Sequence, residues 1–294
     1  MKRQLSPLAA DGLLLVAAII WGSGFIAQRL AAESLDPLTF TGLRFGLGAL
    51  VLLPWVLRRR FDRAHLIYGG ITGLIMTLGA TFQQWGIEDT TAGNAAFITA
   101  LYIVIVPILG RFSGHHIRRT VWLAVGLSVV GLWFLSFDGD FAFQRGDPIV
   151  LLCAIAWAWH LIVVGRWSPK LDPIVYAFLQ FAITGSVALA LGVALARPSF
   201  EQIAATKWAV LYGGTLPVAV AFSFQVVAQR TAPPTHTAII LSLESVFGMI
   251  FGVLLLSEQL TERKLLGAAL MFAGMLLAQV RLSGRRTPEF APPA

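Results

Sequence analysis

Two ionisable side chains stand inside long apolar stretches of the sequence, where charge is otherwise rare. Glu244 lies within the apolar stretch 234–256, and Arg44 lies within the stretch 37–57. A carboxylate at such a place could bind an ammonium group or a proton, and a guanidinium could bind a carboxylate. A structural ion pair would account for both residues, a neutral, hydrogen-bonded acid would account for Glu244, and a side chain that extends towards the membrane surface would account for Arg44. These alternatives stay open.

Aromatic and neutral polar side chains occupy similar positions in other apolar stretches. The candidate substrate-binding residues are Trp21, Phe97, Tyr102, Trp157, Trp159, His160, Gln180 and Glu244, and the candidate gate or lining residues are Arg44, Phe82, Gln83, Gln225 and Ser242. Aromatic rings can stack on an aromatic or apolar solute, although plain packing explains any single ring equally well. His160 could relay a proton or stay neutral and hydrogen-bonded.

The composition indicates the elements that must position these side chains. Of the 294 residues, 57% are hydrophobic and only 13% are charged, whereas about 25% charged residues are usual in a soluble domain. Ten apolar stretches of helical length divide the chain, at 12–30, 37–57, 66–86, 92–110, 120–137, 147–167, 172–196, 208–229, 234–256 and 265–280. A β-barrel would alternate apolar and polar residues, and residues 13–20 do not. The sequence predicts an all-α integral membrane protein with ten transmembrane helices.

The basic residues predict how the chain is oriented. Counted by span ends, 15 of the 22 Lys and Arg residues fall on the side that holds both termini. Because basic residues collect on the cytoplasmic side, both termini are predicted to be cytoplasmic, in a bacterial inner membrane. The net charge of +7 is spread over the loops, so no nucleic-acid partner is expected.

The two halves of the chain resemble each other. Trp21 aligns with Trp157 and Asp36 with Asp172 at an offset of 136, and Tyr102 aligns with Glu244 at an offset of 142. The predicted halves are residues 1–143 and 144–294, with five spans each. Because five is odd, the second half would enter the membrane from the opposite side, as in the inverted repeats of secondary transporters that work by alternating access. A duplicated scaffold without transport is the alternative.

Small residues and prolines indicate where helices approach or bend. Gly-x-x-x-Gly patterns at 42/46, 69/73 and 248/252 predict close helix contacts. Pro107 and Pro217 fall inside predicted spans and are expected to kink them.

The sequence lacks the motifs that several kinds of chemistry require. The single cysteine, Cys153, has no partner for a disulfide or a thiolate metal site, and no nucleotide-binding loop or His-Glu-x-x-His motif occurs. We therefore expect no cofactor, no metal and no enzymatic activity. A channel and a membrane-embedded enzyme remain the alternatives to a carrier.

Four short motifs resemble the drug/metabolite transporter superfamily, specifically its EamA-type members. They are Trp21-Gly22-Ser23, Leu43-Arg44-Phe45, the segment 242–247 and the segment 255–261. Ser245 stands where that family commonly has proline. The chain is most similar to aromatic amino acid exporters of the YddG type. The resemblance implies a monomeric secondary transporter that exports amino acids, with exporters of drugs or other metabolites as the alternative. Its partners would be membrane lipid, a small solute and, for energy coupling, protons or an exchanged solute.

Overall fold

The computed structural model describes residues 5–90, 92–112, 118–136, 143–256 and 259–279, and these residues contain helices and no strands. The helices are α1 (Pro7–Ala32), α2 (Pro37–Val56), α3 (Arg63–Glu88), α4 (Ala92–Ala100), α5 (Tyr102–Phe112), α6 (Arg119–Ser136), α7 (Asp147–Trp167), α8 (Pro173–Leu195), α9 (Phe200–Ala205), α10 (Lys207–Gly213), a π-helix (Gly214–Phe222), α11 (Ser223–Ala228), α12 (Pro234–Leu241), α13 (Glu244–Leu256) and α14 (Glu262–Gln279). The all-α prediction is confirmed. Ser257 and Glu258 of the fourth motif, and the basic residues near both termini, lie outside the described residues.

Nine spans of the described chain are long and apolar enough to cross a membrane. The fourth span combines α4 and α5, the eighth combines α10, the π-helix and α11, and the ninth combines α12 and α13. The tenth predicted span corresponds to α14, which begins with three charged residues, Glu262, Arg263 and Lys264. The helix boundaries lie within a few residues of the predicted ones, because apolar runs and polar loops alternate so sharply along this chain.

The sequence begins equivalent helices of the two halves in the same way. Asp36 caps α2 by accepting a hydrogen bond from the backbone N–H of Thr39 at 2.9 Å, and Asp172 caps α8 by accepting one from Ile174 at 3.1 Å. A proline follows each aspartate at the first helical position, where its missing N–H costs nothing.

Two of the spans are interrupted near their middle. The fourth span breaks at Leu101, whose N–H donates to the carbonyl of Ile98 at 3.2 Å, and the ninth breaks where Leu243 donates to Ile240 at 3.1 Å. These are tight 3₁₀-type turns. Leu101 and Leu243 align at the offset of 142. The fourth span therefore breaks six residues before Pro107, and the ninth breaks although Ser245 replaces the family's proline.

The eighth span differs from its counterpart in the first half. Pro217 lies within the π-helix, whereas the third span is one uninterrupted α-helix of 26 residues. A proline removes a backbone donor, and π-type bonding is a common way in which a helix accommodates such a defect.

Helices from the two halves pack in pairs. α2 packs on α8, and α6 packs on α14. α3 packs on α7 and α8, and its counterpart, the eighth span, packs on α1 and α2. If each span is replaced by its counterpart in the other half, every one of these pairings becomes a pairing that the structure also contains. We call the end of the bundle where α1 begins the N-terminal face and the other end the opposite face.

The α2–α8 contact depends on glycine. A Cβ atom built on Gly42 would lie 2.4 Å from the backbone nitrogen of Leu189, whereas one built on Gly46 would meet nothing within 4 Å. The first glycine of this Gly-x-x-x-Gly pattern is therefore the one whose missing side chain lets the helices touch.

We expect Gly42→Ala to destabilise the protein by about 1–3 kcal/mol, because the two backbones must move apart. Gly46→Ala is the matched control and should change stability by less than about 0.5 kcal/mol. Thermal unfolding of both variants in detergent measures the difference. Equal melting temperatures for the two variants would contradict this account of the contact.

Candidate functional site

A cavity lies in the centre of the bundle, with about 710 Å³ of empty space counted out to its open mouth. Its lining comes from spans of both halves and comprises Trp21, Gly24, Phe25, Ala27, Gln28, Phe40, Arg44, Gln83, Thr99, Tyr102, Trp157, His160, Leu161, Gly213, Pro217, Phe222, Gln225, Leu241 and Glu244. Towards the opposite face the lining reaches Gln28 and Phe40, each about one turn from the end of its helix.

The other side of the cavity is closed by a chain of amides. Gln225 donates from Nε2 to Gln229 Oε1 at 2.8 Å, and Gln229 donates from Nε2 to the carbonyl of Leu161 at 2.8 Å. All three residues are buried. The cavity therefore extends from this amide chain towards the opposite face.

Glu244 is held by a repeat-related tyrosine. The hydroxyl of Tyr102 donates to Glu244 Oε1 at 3.1 Å, and both side chains are buried. Each is the first residue after the interruption in its span. Gly22 permits the arrangement, because a Cβ there would lie 2.7 Å from the Glu244 carbonyl oxygen. The two breaks thus bring one side chain from each half together.

Arg44 is the second charged residue of the cavity. Its guanidinium lies over the rings of Phe40 and Phe45, with Cζ 5.3 Å and 5.1 Å from the ring centroids. Its buried Nε has no hydrogen-bond partner, and among the described residues it forms no ion pair with Glu244. Burying an unpaired cation is costly, whereas a ligand carboxylate could repay that cost.

Aromatic rings surround the space between these charges. Phe222 is the centre of the cluster, with ring centroids 4.5 Å from Trp21 and 5.5 Å from Trp157. The indole of Trp21 donates to the Pro217 carbonyl at 3.0 Å. His160 also packs near Phe222, and its Nε2 is 2.8 Å from Gln180 Oε1.

The structure brings eight of the thirteen candidate residues together around the cavity: Trp21, Arg44, Gln83, Tyr102, Trp157, His160, Gln225 and Glu244. The other five do not line it. Gln180 lies behind His160, and Ser242 bonds to the Ile239 carbonyl at the interruption. Trp159 is 45% exposed on the outside of the bundle. Phe97 packs against Trp133, and Phe82 is half-buried away from the lining.

Sequence reasoning missed several lining residues. Phe40 and Gln28 could have been predicted from the sequence. Phe40 lies four residues before Arg44 and Gln28 lies seven residues after Trp21, so each shares a helix face with a candidate residue. Phe222 could not have been predicted, because nothing in the apolar run around it distinguishes this ring from its neighbours.

Contacts between the halves tie the N-terminal face together. Arg59 bonds to Asp172, whose backbone N–H donates to His65 Nε2 at 2.9 Å. The ring of Tyr68 stacks on Trp167 with the centroids 3.3 Å apart. We call the Arg59–Asp172–His65 contacts the latch. On the opposite face, the buried Oδ2 of Asp36, the repeat mate of Asp172, has no hydrogen-bond partner.

The carboxylates of this region remain charged near neutral pH. Burial would raise the pKa of Asp172, but hydrogen bonds from Val175 and the contact with Arg59 outweigh it and lower the pKa. Hydrogen bonds from His65 lower the pKa of Asp62. Because both pKa values are lowered, their stabilisation is present above the ordinary carboxyl pKa and is lost as the pH falls through the lowered values. Asp172 and Asp62 are therefore expected to stay ionised between pH 5 and 8.

A second repeat-related tie differs between the faces. On the N-terminal face His236 Nε2 lies 2.7 Å from Asp11 Oδ1. On the opposite face Asn94 donates from Nδ2 to Asp147 Oδ2 at 3.1 Å. In these repeat-related contacts the donor is therefore a histidine on the N-terminal face and a neutral amide on the opposite face.

Comparison with known proteins agrees with this architecture. The model of the EamA-like transporter family matches residues 8–137 and again residues 144–279. An uncharacterized transporter of Archaeoglobus fulgidus is 32% identical over 94% of this chain and 87% of its own. The uncharacterized transporter YoaV of Bacillus subtilis is 26% identical over 93% and 97%. The uncharacterized inner membrane transporter YedA of Escherichia coli is 24% identical over 74% and 73%. A crystal structure with a TM-score of 0.78 and 18% identity, covering 92% of this chain and 98% of that one, shares the fold.

Tyr102→Phe should test whether the bond to Glu244 matters for function beyond stability. Tyr176→Phe is the matched control, because its buried hydroxyl lies 2.7 Å from Thr72 Oγ1 away from the cavity. Each variant is expected to lose about 1 kcal/mol of stability. Only Tyr102→Phe should raise the apparent KM of transport, by about five- to tenfold, measured in proteoliposomes. Equal KM values would show that the bond is merely structural.

Proposed function

Because the chain belongs to the EamA-like transporter family, within the drug/metabolite transporter superfamily, we propose that it is a secondary transporter exporting amino acids with aromatic or other apolar side chains. Membrane transport follows from the family. The substrate, the outward direction and the mechanism are the parts that we propose.

The observation that carries the proposal is that the cavity holds one cation and one acid that do not pair with each other. Arg44 and Glu244 both line it, and Arg44 has no hydrogen bond from its Nε. An amino acid carries a carboxylate and an ammonium group on one carbon, so it would complement both charges at once. A solute with a single charge would leave one of the two buried groups uncompensated, which is costly.

The apolar part of the cavity supports the choice of side chain. Trp21, Trp157 and Phe222 present ring surfaces to the space, and Phe40 and Phe25 extend them towards the mouth. Aromatic pairs prefer offset or edge contacts with centroids about 4.5–7 Å apart, which such walls can offer. A small hydrophilic amino acid would leave these rings without contacts.

Alternating access between the two faces is the proposed mechanism. The cavity reaches towards the opposite face, while the amide chain and the latch close the N-terminal face. When the opposite face closes instead, we expect Asp36 to take the place of Asp172. Arg197, two residues after α8, is the corresponding partner, because Arg58 and Arg59 follow α2 in the same way. Two similar halves, divided near residue 143, would exchange these arrangements.

The predicted orientation makes this arrangement outward-facing. With both termini in the cytoplasm, the latched N-terminal face would be the cytoplasmic one and the cavity would open to the outside. A carrier in this state would have released its solute and would return through closure of the opposite face. During this return, Glu244 would carry a proton or bind an exchanged solute.

Glu244→Gln should lower transport of aromatic amino acids about 10- to 100-fold, because a charge-assisted hydrogen bond contributes about 1.5–3 kcal/mol. Counterflow of radiolabelled amino acids into proteoliposomes, across pH 5–8, measures the effect. The variant leaves the titratable groups of the N-terminal face unchanged, so a pH profile that differs from that of the unmodified protein points to the cavity. Unchanged flux at every pH would rule out the proposed ammonium or proton site.

Two tryptophans on one helix provide a matched pair for the stacking role. Trp157 lines the cavity, whereas Trp159 is 45% exposed outside the bundle. In the counterflow assay, unlabelled amino acids compete with the labelled one. We expect Trp157→Ala to weaken this competition at least tenfold more for aromatic amino acids than for alanine. Trp159→Ala should leave both nearly unchanged. If the two variants behaved alike, or if small and aromatic amino acids lost equally, aromatic selectivity would not come from the cavity wall.

A further inference from the structure

Beyond the central cavity, a second pocket opens on the N-terminal face. It has about 870 Å³ of empty space, counted out to its open side, and is lined by Arg59, Arg60, His65, Pro169, Lys170, Leu171, Asp172 and Arg230. His65 lies in the first turn of α3, and the other residues come from the connections α2–α3, α7–α8 and α11–α12. From them we propose that this pocket binds the phosphate of an anionic phospholipid headgroup.

The charges of the pocket are unbalanced. Four cations face one carboxylate, and that carboxylate already bonds to Arg59. His65 adds no further positive charge: because the N–H of Asp172 donates to its Nε2, the ring is neutral and its proton lies on Nδ1, beside Asp62. Three positive charges therefore remain, and like charges this close repel unless an anion lies between them.

Among the described residues, two of the cations have no side-chain partner in the hydrogen bonds and ion pairs of the fold. The Nε of Arg230 is buried without a hydrogen-bond partner, and Arg60 is exposed at the rim. Lys170 lies over the ring of Trp167, with Nζ 4.6 Å from its centroid. Arginine presents a fork of donors that matches phosphate oxygens, so Arg60 and Arg230 are suited to hold a phosphate from two sides.

The surroundings favour a lipid over a soluble phosphate. Trp55 and Leu57 are 57% and 75% exposed at the end of α2, and Phe61 is 44% exposed in the following connection. Aromatic residues collect at the depth of the headgroups, and exposed apolar side chains there contact acyl chains. A headgroup phosphate could therefore enter the pocket while its acyl chains stay beside α2. Basic pockets between helices on a cytoplasmic side are suited to anionic headgroups.

Binding of phosphatidylglycerol and of neutral phosphatidylcholine to the detergent-purified full chain, compared by native mass spectrometry, tests this site. The double variant Arg60→Gln/Arg230→Gln should bind phosphatidylglycerol about 25-fold more weakly, since each cation near the surface contributes about fivefold. Arg118→Gln/Arg119→Gln is the matched control, because it removes two exposed arginines from another connection of the same face. The control should lose less than about twofold.

Further measurements keep the result decisive. Thermal unfolding in phosphatidylcholine alone checks that the variants are folded. If the double variant does not fold, the single variant Arg60→Gln, at the exposed rim, should still bind phosphatidylglycerol about fivefold more weakly. Equal losses in the double variant and in the control would overturn the proposal, because general surface charge would then explain the binding. Displacement of the lipid by millimolar inorganic phosphate would also overturn it, in favour of a soluble anion. None of these results depends on which solute the central cavity carries.

Discussion

A carboxylate in the middle of an apolar bundle must have a partner, and much of this architecture serves that requirement. Glu244 meets the hydroxyl of Tyr102 only because the fourth and ninth spans break one residue before each of them. The approach also needs Gly22, where any Cβ would strike the ninth span. Two helix breaks, one glycine and one hydrogen bond across the halves therefore form a single unit. Tyr102 and Glu244 both line the cavity, so this unit forms part of the cavity wall.

The ties between the halves are distributed unequally over the two faces. The latch and the amide chain of Gln225 and Gln229 close one side of the cavity, while repeat mates on the other side, such as Asp36, retain unbonded atoms. Most of these contacts are polar, whereas the contact of α2 with α8 is a glycine seam. Polar contacts can exchange partners at little cost, whereas a close-packed seam cannot open without loss of packing. Under the proposed alternating access, the polar contacts would therefore be the ones that exchange, and the α2–α8 contact would stay closed.

The sequence was informative about the fold because spans and loops differ so strongly in polarity. It also indicated which residues of the two halves correspond, and the paired residues Asp36 and Asp172 each cap the helix that follows. The rotation of each helix was harder to predict. α7 is apolar on all sides, so nothing indicated that Trp157 faces the cavity and Trp159 faces outward. The depth of a residue follows from counting along its span, whereas its direction depends on packing that only the structure shows.

The π-helix of the eighth span makes the two halves of the bundle unequal. Its counterpart, the third span, is a continuous α-helix, so exchanging the conformations of the halves cannot regenerate the same set of backbone bonds. If the protein alternates between two facings, as proposed, the two differ in free energy even when the cavity is empty. A difference of 1.4 kcal/mol between them already corresponds to a tenfold difference in population. The cavity of the empty protein would therefore open mostly to one side of the membrane. Binding of the solute or the coupling ion would shift the population towards the other facing.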